Sequence, residues 1–354
     1  MSVIRVVMAD DSPLAREILR DLLTCEGDID IVGEASNGQQ AVELAKRLAP
    51  QLITMDLNMP VMDGLSAIEE IMHTKGVPIL VISDRADAQS AYKALEVGAL
   101  EVIPKPTLDD ATGEWLRARV RLLAGVAVIT RLRRRVPATP PQALLIQSSP
   151  PPQACATRDF QRVVVIACST GGPQALARLL SKLPSDFPVP ILIAQHISHG
   201  FIEGMATWLG SLCPLPVSVA TQGERLEPGH VYLSPSERNL CVTPEHCVRL
   251  VQSPPDALYH PSCDVLMHSA AEVYGADAIG VIMTGMGRDG VSGMRAIQQA
   301  GGTTLAQDEA SSVIYGMNQE AINTGVVQHI ISLDDLPPRL MRLVGMAAPR
   351  HLFP

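Results

Sequence analysis

Aromatic residues are scarce in this chain of 354 residues: Phe, Trp and Tyr make up 3% of it, against 47% for hydrophobic residues as a whole. Its cores must therefore be assembled from Val, Ile, Leu, Ala and Met, a composition that suits layered α/β domains better than a β-sandwich. The length predicts two domains with a sizeable core in each.

Three further absences narrow the class of protein. No apolar run approaches the ~18–20 residues needed to cross a bilayer, so we expect no direct membrane insertion. The seven cysteines include no Cys-x-x-Cys pair and the chain shows no signal-peptide pattern, which favours a reducing, cytoplasmic setting. Acidic residues outnumber basic ones, and the resulting net charge of −9 argues against a nucleic-acid partner.

Residues 1–128 alternate five predicted strands with five predicted helices. Strands are predicted at 3–8, 29–35, 51–55, 78–82 and 101–103, and helices at 13–24, 38–48, 64–73, 88–97 and 111–128. Ser12 and Pro13 form a typical helix start, with an N-cap followed by proline at the first helical position. Five β–α units of this size predict a doubly wound, flavodoxin-like parallel sheet with functional residues at the carboxyl ends of its strands.

Polar side chains stand at four of these strand ends. Asp10 and Asp11 follow the first strand, Asp56 the third, Ser83 the fourth and Lys105 the fifth. Three converging carboxylates repel each other unless a cation joins them, and oxygen ligands suit Mg²⁺. Lys105 can balance the charge of a phosphoryl group, and the Ser83 hydroxyl can hydrogen-bond to it. The pattern predicts phosphoryl transfer to the Asp56 carboxylate, which gives an acyl phosphate.

About residues 1–125 resemble the receiver domain of two-component response regulators. The resemblance rests on Asp-Asp-Ser after the first strand, the run from Met55 to Gly64 and the pair Lys105-Pro106. It implies phosphorylation of Asp56. The implied metal ligands are Asp11, Asp56 and the Asn58 carbonyl, with Asp10 acting through water. Receivers usually carry Tyr or Phe as a switch side chain three residues before the lysine, where this chain has Val102.

Residues 129–158 are predicted to be a linker. An arginine cluster at 131–135 is followed by prolines among Ala, Gln and Ser. This composition cannot bury a core and is typical of an extended, semi-stiff tether. The arginines could contact nucleic acid, but a contact with the acidic receiver or with a partner protein is the favoured interpretation.

Residues 159–350 are predicted to form a second α/β domain with a mostly parallel sheet. Strands are predicted at 162–167, 191–194, 217–220, 278–283 and 303–306, a hairpin at 239–250, and helices at 173–183, 201–209, 262–274, 289–300 and 334–344. The first of these strands breaks into Ser169-Thr-Gly-Gly172 before a helix that begins at a proline. Such a turn is expected to project Ser169 into solvent, as a nucleophile turn does.

Two other strand ends offer a base and an acid for this serine. His196 follows the second strand of the domain, and Asp289 lies in the glycine-rich loop Thr284–Gly290. A serine hydroxyl attacks well once an imidazole takes its proton, and the imidazole needs an acceptor on its other nitrogen. Each residue could instead be structural, as a helix cap or a buried histidine. Together they favour a Ser–His–Asp triad, with an N–H of the loop stabilising the oxyanion.

Other interpretations compete with this one. A zinc site could use His196 and His199 with His260 or Asp264, although the spacing is wrong for a helical pair and no Cys pair joins in. A thiol nucleophile at Cys168 is disfavoured because the residue should point into the core. A response regulator with a scaffold module carrying vestigial hydrolase residues is the main alternative. A DNA-binding regulator would need a helix-turn-helix, which the sequence lacks.

Residues 160–325 resemble the chemotaxis protein-glutamate methylesterase/glutamine deamidase family (CheB). The matching stretches are Ser169–Gly172, Gln195-His196, Tyr232–Pro235, Pro261-Ser262 with Asp264, Thr284–Gly290, Gln307–Ser312 and Tyr315–Met317. Three departures from the family pattern are Ala167-Cys168 for Gly-Ala, Pro261 after His260 where Arg is common, and Asn318 where Pro often stands.

This second resemblance implies a role for each site residue. The implied roles are Ser169 as nucleophile, His196 as general base and acid, Asp289 as orienting carboxylate, the Met286 N–H with Thr170 nearby for the oxyanion, and His260 lining the site. It implies hydrolysis of glutamyl methyl esters and deamidation of glutamines on chemoreceptors, with a chemotaxis histidine kinase as phosphodonor and no cofactor in the catalytic domain. We expect the unphosphorylated receiver to cover the catalytic cleft.

Overall fold

A computed structural model of the chain describes residues 3–84, 88–106, 110–126, 160–254 and 259–346. We refer to residues 3–126 as the N-terminal unit and to residues 160–346 as the C-terminal unit. The whole predicted linker, with its arginine cluster, lies outside the described residues, so the domain boundaries at 128 and 159 stay predictions.

The N-terminal unit is built on a five-stranded parallel sheet with strand order β2-β1-β3-β4-β5. The elements are β1 Ile4–Ala9, α1 Pro13–Thr24, β2 Ile29–Ala35, α2 Gly38–Leu48, β3 Leu52–Met55, α3 Gly64–Thr74, β4 Ile79–Ser83, α4 Ala88–Val97, β5 Glu101–Pro104 and α5 Asp110–Leu123. Every residue of β3 and β4 is buried, as expected where helices cover both faces of a parallel sheet. The predicted doubly wound fold is confirmed.

The C-terminal unit contains a seven-stranded parallel sheet with strand order β14-β13-β12-β6-β7-β9-β8, and a separate antiparallel hairpin of β10 and β11. The strands are β6 Val163–Cys168, β7 Ile191–Gln195, β8 Val217–Val219, β9 Val231–Leu233, β10 Arg238–Val242, β11 Val248–Gln252, β12 Ala278–Ile282, β13 Thr303–Gln307 and β14 His329–Ile331. The helices are α6 Gly172–Leu180, α7 Ile202–Leu212, α8 Cys263–Tyr274, α9 Val291–Gln299, α10 Met317–Asn323 and α11 Leu336–Leu343. The predicted mostly parallel sheet and the hairpin are confirmed.

The largest error in a predicted helix end is at α5, and three short elements were not predicted. Helix α5 ends at Leu123 instead of 128, where a turn containing Gly125 follows. The sequence analysis also missed β9, β14 and α10. These elements are three, three and seven residues long, too short for hydrophobic periodicity to distinguish them from loops.

The two units pack against each other through helices α4 and α7. The rings of Tyr92 and Trp208 stack with centroids 5.5 Å apart, and the Gln174 side-chain amide donates to the carbonyls of Ala99 and Leu100 at 2.8 and 3.1 Å. One hydrophobic cluster runs through both units. This contact places the α4–β5–α5 side of the N-terminal unit over the carboxyl edge of the second sheet. Among the described residues, no helix is long and apolar enough to cross a membrane.

Candidate active site

The turn after β6 is held in a fixed shape. The Ser169 N–H donates to the Thr284 carbonyl at 3.0 Å, and the Gly172 N–H donates to the Ser169 carbonyl at 2.8 Å. Gly171 has φ +77°, a backbone conformation that favours glycine. A Cβ at this position would also lie 2.6 Å from the Cβ of Val313, so both the backbone and the packing require glycine here. Cys168 is fully buried behind the turn, as predicted for a core residue.

Ser169 is only 2% exposed, which contradicts the expectation that the turn projects it into solvent. Ser169 lies in a cavity that residues of both units enclose. A cavity of about 810 Å³ is bounded on one side by Ser169 and His196 and on the other by Glu101 and Arg119.

His196 and Asp289 form a direct hydrogen-bonded pair. The His196 Nε2 lies 2.7 Å from the Asp289 Oδ2, and their side chains are 8% and 2% exposed. The His196 N–H donates to the Cys168 carbonyl at 3.0 Å, which puts the histidine beside the nucleophile turn. The Gln195 side-chain amide donates to the carbonyls of Ser169 and His196, both at 2.8 Å, and so ties the two strand ends together.

The start of helix α8 supports the Asp289 carboxylate. Three groups donate to it: the Ser262 hydroxyl at 3.1 Å, the Cys263 N–H at 2.6 Å and the Asp264 N–H at 2.9 Å. Burial by itself would raise the pKa of Asp289. The hydrogen bond and the charge of His196 lower it, as do the N–H groups of Asp264 and Cys263, and these effects together hold the pKa below its ordinary value. The carboxylate therefore stays ionised beside the imidazole.

Asp264 makes the reciprocal contact. Its carboxylate accepts from the N–H groups of Gly290 and Gly293, at 2.9 and 2.7 Å, where helix α9 begins. Asp289, just before α9, thus accepts hydrogen bonds at the N-terminus of α8, and Asp264 in α8 accepts them at the N-terminus of α9. Each helix N-terminus carries partial positive charge, which favours a carboxylate. Burial raises the pKa of Asp264, and the neighbouring Asp289 adds to the rise. Among the described residues, no cluster of potential metal ligands joins His196 with His199, His260 or Asp264, the combination that the sequence left open for zinc.

The loop Thr284–Gly290 lies against the serine. A Cβ on Gly285 would lie 2.6 Å from the Ser169 Cβ, so only glycine permits this approach. The Thr284 hydroxyl donates to the Thr170 carbonyl at 2.9 Å. The cavity is also lined by Met286, whose side chain is exposed, and by His260. The residues predicted for the oxyanion and the site lining therefore meet in one cavity.

Three residues at this site were missed by the sequence analysis. The Arg119 guanidinium donates to the Thr170 hydroxyl and lies 3.5 Å from the Glu101 carboxylate, to which Thr170 also donates at 3.3 Å. Burial raises the pKa of Glu101, against the opposing influence of Arg119 and Thr170. Tyr259 stacks on the His196 ring. No local pattern identifies Arg119 or Glu101, because both reach the site across the contact between the units.

A second cluster of charged residues lies at the carboxyl ends of β1, β3 and β5. Asp10, Asp11 and Asp56 each place a carboxylate oxygen within 4.8 Å of the others. The Lys105 Nζ lies 3.1 Å from Asp10 and 3.3 Å from Asp56. Burial raises the pKa of Asp56; Lys105 opposes the rise and Asp10 adds to it. The buried Ser83 hydroxyl has no hydrogen-bond partner among the described residues.

These features fit a magnesium ion and a phosphoryl group. The oxygen-only donor set is the one that Mg²⁺ prefers. Asp11 and Asn58 are exposed, so both can be reached from solvent. An unpartnered buried hydroxyl is costly unless a ligand satisfies it, and a phosphoryl oxygen would do so at Ser83.

Known proteins resemble both units. The family model for CheB methylesterase matches residues 164–340, and that for the response regulator receiver domain matches residues 6–114. Protein-glutamate methylesterase/protein-glutamine glutaminase 3 of Paramagnetospirillum magneticum is 49% identical over 97% of this chain and 96% of that relative. The chain belongs to the CheB methylesterase family.

Other members of the family agree with this assignment. Protein-glutamate methylesterase/protein-glutamine glutaminase 4 of Myxococcus xanthus is 43% identical over 95% of this chain and 96% of that relative. The crystal structure of the Thermotoga maritima CheB methylesterase catalytic domain matches 51% of this chain and 98% of that structure, with 34% identity and a TM-score of 0.50. Both resemblances inferred from the sequence, to receivers and to CheB, are confirmed.

One departure from the CheB pattern has a clear structural role. Asn318 is fully buried, and its side-chain amide donates to the Gln307 carbonyl at 2.9 Å and to the Ser312 hydroxyl at 2.8 Å. A proline has no such donor. The asparagine therefore fastens the stretch between β13 and α10, whose residue Val313 packs against the nucleophile turn.

Proposed function

We propose that this protein is a phosphorylation-activated serine hydrolase that demethylates glutamyl methyl esters, and deamidates glutamines, on chemoreceptors. The observation that carries the proposal is the buried His196–Asp289 pair beside Ser169 in one cavity. The names of the relatives, protein-glutamate methylesterase/protein-glutamine glutaminase, support the choice of substrate. The match to the receiver family model also supports a histidine kinase as phosphodonor, and the match to CheB supports one of a chemotaxis system.

In the proposed mechanism, Asp289 holds the His196 Nε2 and leaves Nδ1 to take the Ser169 proton. The serine oxygen then attacks the ester carbonyl, and the Met286 N–H, with Thr170 nearby, stabilises the oxyanion. The proton passes from His196 to the departing methanol as the ester bond breaks. A water molecule, deprotonated by His196, then hydrolyses the acyl-enzyme and regenerates Ser169 and a glutamate. With glutamine the departing group is ammonia.

The receiver would supply the control. Asp10, Asp11, Asp56 and the Asn58 carbonyl would hold Mg²⁺, which neutralises charge at the phosphoryl group when it is bound. The Asp56 carboxylate would accept the phosphoryl group from the kinase, with Ser83 and Lys105 contacting its oxygens. Phosphorylation adds about −1.5 to −2 charges.

The route from Asp56 to the cleft runs along β5. Lys105 contacts Asp56 directly after this strand, and Glu101 at the start of the strand pairs with Arg119 over Thr170. A phosphoryl group that draws Lys105 toward it would displace β5 and with it Glu101. This route needs no aromatic switch, in keeping with Val102 at the usual position of that side chain.

Methanol release from a methylated receptor tests the function. The wild-type protein is expected to release methanol, and a small phosphodonor with Mg²⁺ should raise the rate, because the receiver otherwise covers the cleft. EDTA should remove the stimulation without abolishing the basal rate. Asp56→Asn is the control that should not respond. A receptor that stays methylated under all conditions would refute the proposal and favour the scaffold interpretation.

Arg119→Ala is expected to raise the unphosphorylated rate about tenfold. The substitution removes a charged hydrogen bond to Thr170, a contact of typically ~1.5–3 kcal/mol, and leaves Glu101 without its positively charged partner in the closed state. The matched control is Arg121→Ala, since Arg121 lies on the same helix but pairs with Glu26 and Asp28. Methanol release without phosphodonor measures the effect. Equal basal rates in the two variants would contradict the role of Arg119.

A further inference from the structure

Tyr259 covers one face of the His196 imidazole. The two ring centroids are 4.9 Å apart and the ring planes differ by 15°, so the rings are stacked. The Cys263 Sγ lies 3.5 Å from the His196 Nε2, and Asp289 binds that nitrogen at 2.7 Å. Contacts from Tyr259, Cys263 and Asp289 leave the histidine side chain 8% exposed.

The position of Tyr259 is fixed at its hydroxyl and at the adjacent backbone. Its hydroxyl lies against Gly287, where an added Cβ would approach within 2.6 Å of that oxygen. The neighbouring His260 carbonyl accepts from the Ile197 N–H at 3.2 Å, just after the catalytic histidine. Beyond it, Ser262 and the Cys263 N–H bind Asp289. The segment Tyr259–Cys263 therefore contains both the ring that stacks on His196 and the groups that donate to the Asp289 carboxylate.

We propose that Tyr259 is a positioning residue for His196, an inference that rests on the proposed function. Stacked aromatic pairs have a preferred offset geometry, which restricts tilting of the imidazole out of the plane that Asp289 and Ser169 require. The tyrosine ring face also attracts the imidazolium that forms when Ser169 loses its proton. Tyr259 thus acts on the chemical step through the histidine.

The contact between the Tyr259 hydroxyl and Gly287 adds a second consequence. Gly287 has φ +100° and follows Met286, the proposed oxyanion donor. Tyr259 therefore spans the base and the oxyanion loop and holds them at one separation. The ring carbons Cε1 and Cζ also lie 3.2 and 3.3 Å from the position that a Cβ on Gly287 would take, so we assign the orienting role to the ring.

The experiment measures how fast an alkyl fluorophosphonate labels Ser169 in the full chain, with phosphodonor and Mg²⁺ present. In this reaction the Ser169 Oγ–P bond forms, the P–F bond breaks, fluoride leaves and His196 takes the proton. Tyr259→Leu is expected to label about tenfold more slowly, equivalent to ~1.4 kcal/mol in activation free energy. Tyr259→Phe keeps the ring and should stay within about twofold of wild type.

Three additional measurements separate positioning from a general structural effect. In methanol release, Tyr259→Leu should lower kcat by about the same factor and leave KM within about twofold, because a positioning residue acts on the chemical step through His196. Phosphorylation of Asp56 and the thermal unfolding midpoint should match wild type. Tyr259→Gln, a second non-aromatic variant, should reproduce the slowing if the leucine variant folds poorly.

The possible outcomes are distinct. Wild-type rates in both non-aromatic variants would overturn the positioning role, and so would equal slowing in the phenylalanine and leucine variants, which would place the effect in the hydroxyl. Labelling of wild type no faster than that of Ser169→Ala would overturn the proposed hydrolase function, and the inference with it. Ser169-dependent labelling that needs the Tyr259 ring supports both.

Discussion

Ser169→Ala is expected to lower methanol release from a methylated receptor by at least about 10⁴-fold. Removing the nucleophile of a serine hydrolase leaves only the rate that the oxyanion donors and substrate binding provide. Single-turnover methanol release, with the phosphodonor present, measures the loss.

The fold should survive this substitution. The turn is held by the backbone bonds of Ser169 and Gly172, which alanine retains. Phosphorylation of Asp56 should therefore be unchanged. Ser181→Ala, at the exposed end of helix α6, is the matched control and should keep wild-type activity. Undiminished methanol release by the Ser169 variant would rule out the serine mechanism.

Asp289→Asn is expected to reduce kcat by roughly 10³–10⁴-fold with little change in KM. An amide cannot stabilise the imidazolium, and its NH₂ group favours the wrong tautomer of His196. The asparagine NH₂ group would also face N–H groups at the start of α8 that now donate to the carboxylate, so donor would meet donor. The kinetics of methanol release across substrate concentrations separate kcat from KM.

Acid stability gives an independent readout of the same carboxylate. The pKa of Asp289 is lowered, so its contribution to folding is fully present above its ordinary unfolded value and is lost as the pH falls through the lowered folded value. Asp289→Asn should remove this part of the acid dependence, measured as the unfolding midpoint between neutral and acidic pH.

Asp264→Asn is the matched control for the Asp289 substitution. Its amide oxygen can still accept from Gly290 and Gly293. We expect a much smaller loss of activity from this variant. Equal losses in the two variants would mean that helix capping, and not the charge beside His196, accounts for the effect.

Local sequence determined much of this protein. The alternation of apolar runs with capped helices specified both parallel sheets, because buried parallel strands must be apolar on both faces. Since functional groups of such sheets lie at the carboxyl ends of strands, the positions of Ser169, His196 and Asp289 along the chain were enough to predict one common edge. The cluster around Asp56 was found in the same way.

Only the tertiary structure decided what surrounds these groups. Ser169 lies in a cavity that residues of both units enclose, and the contact between the units brings Arg119 and Glu101 to Thr170 from positions 51 and 69 residues away. Other contacts likewise join segments that are distant along the chain. Asp289 binds the start of α8, Asp264 binds the start of α9, and Tyr259 stacks on His196. Periodicity and strand-end rules act within an element, whereas these contacts depend on how elements and units pack together.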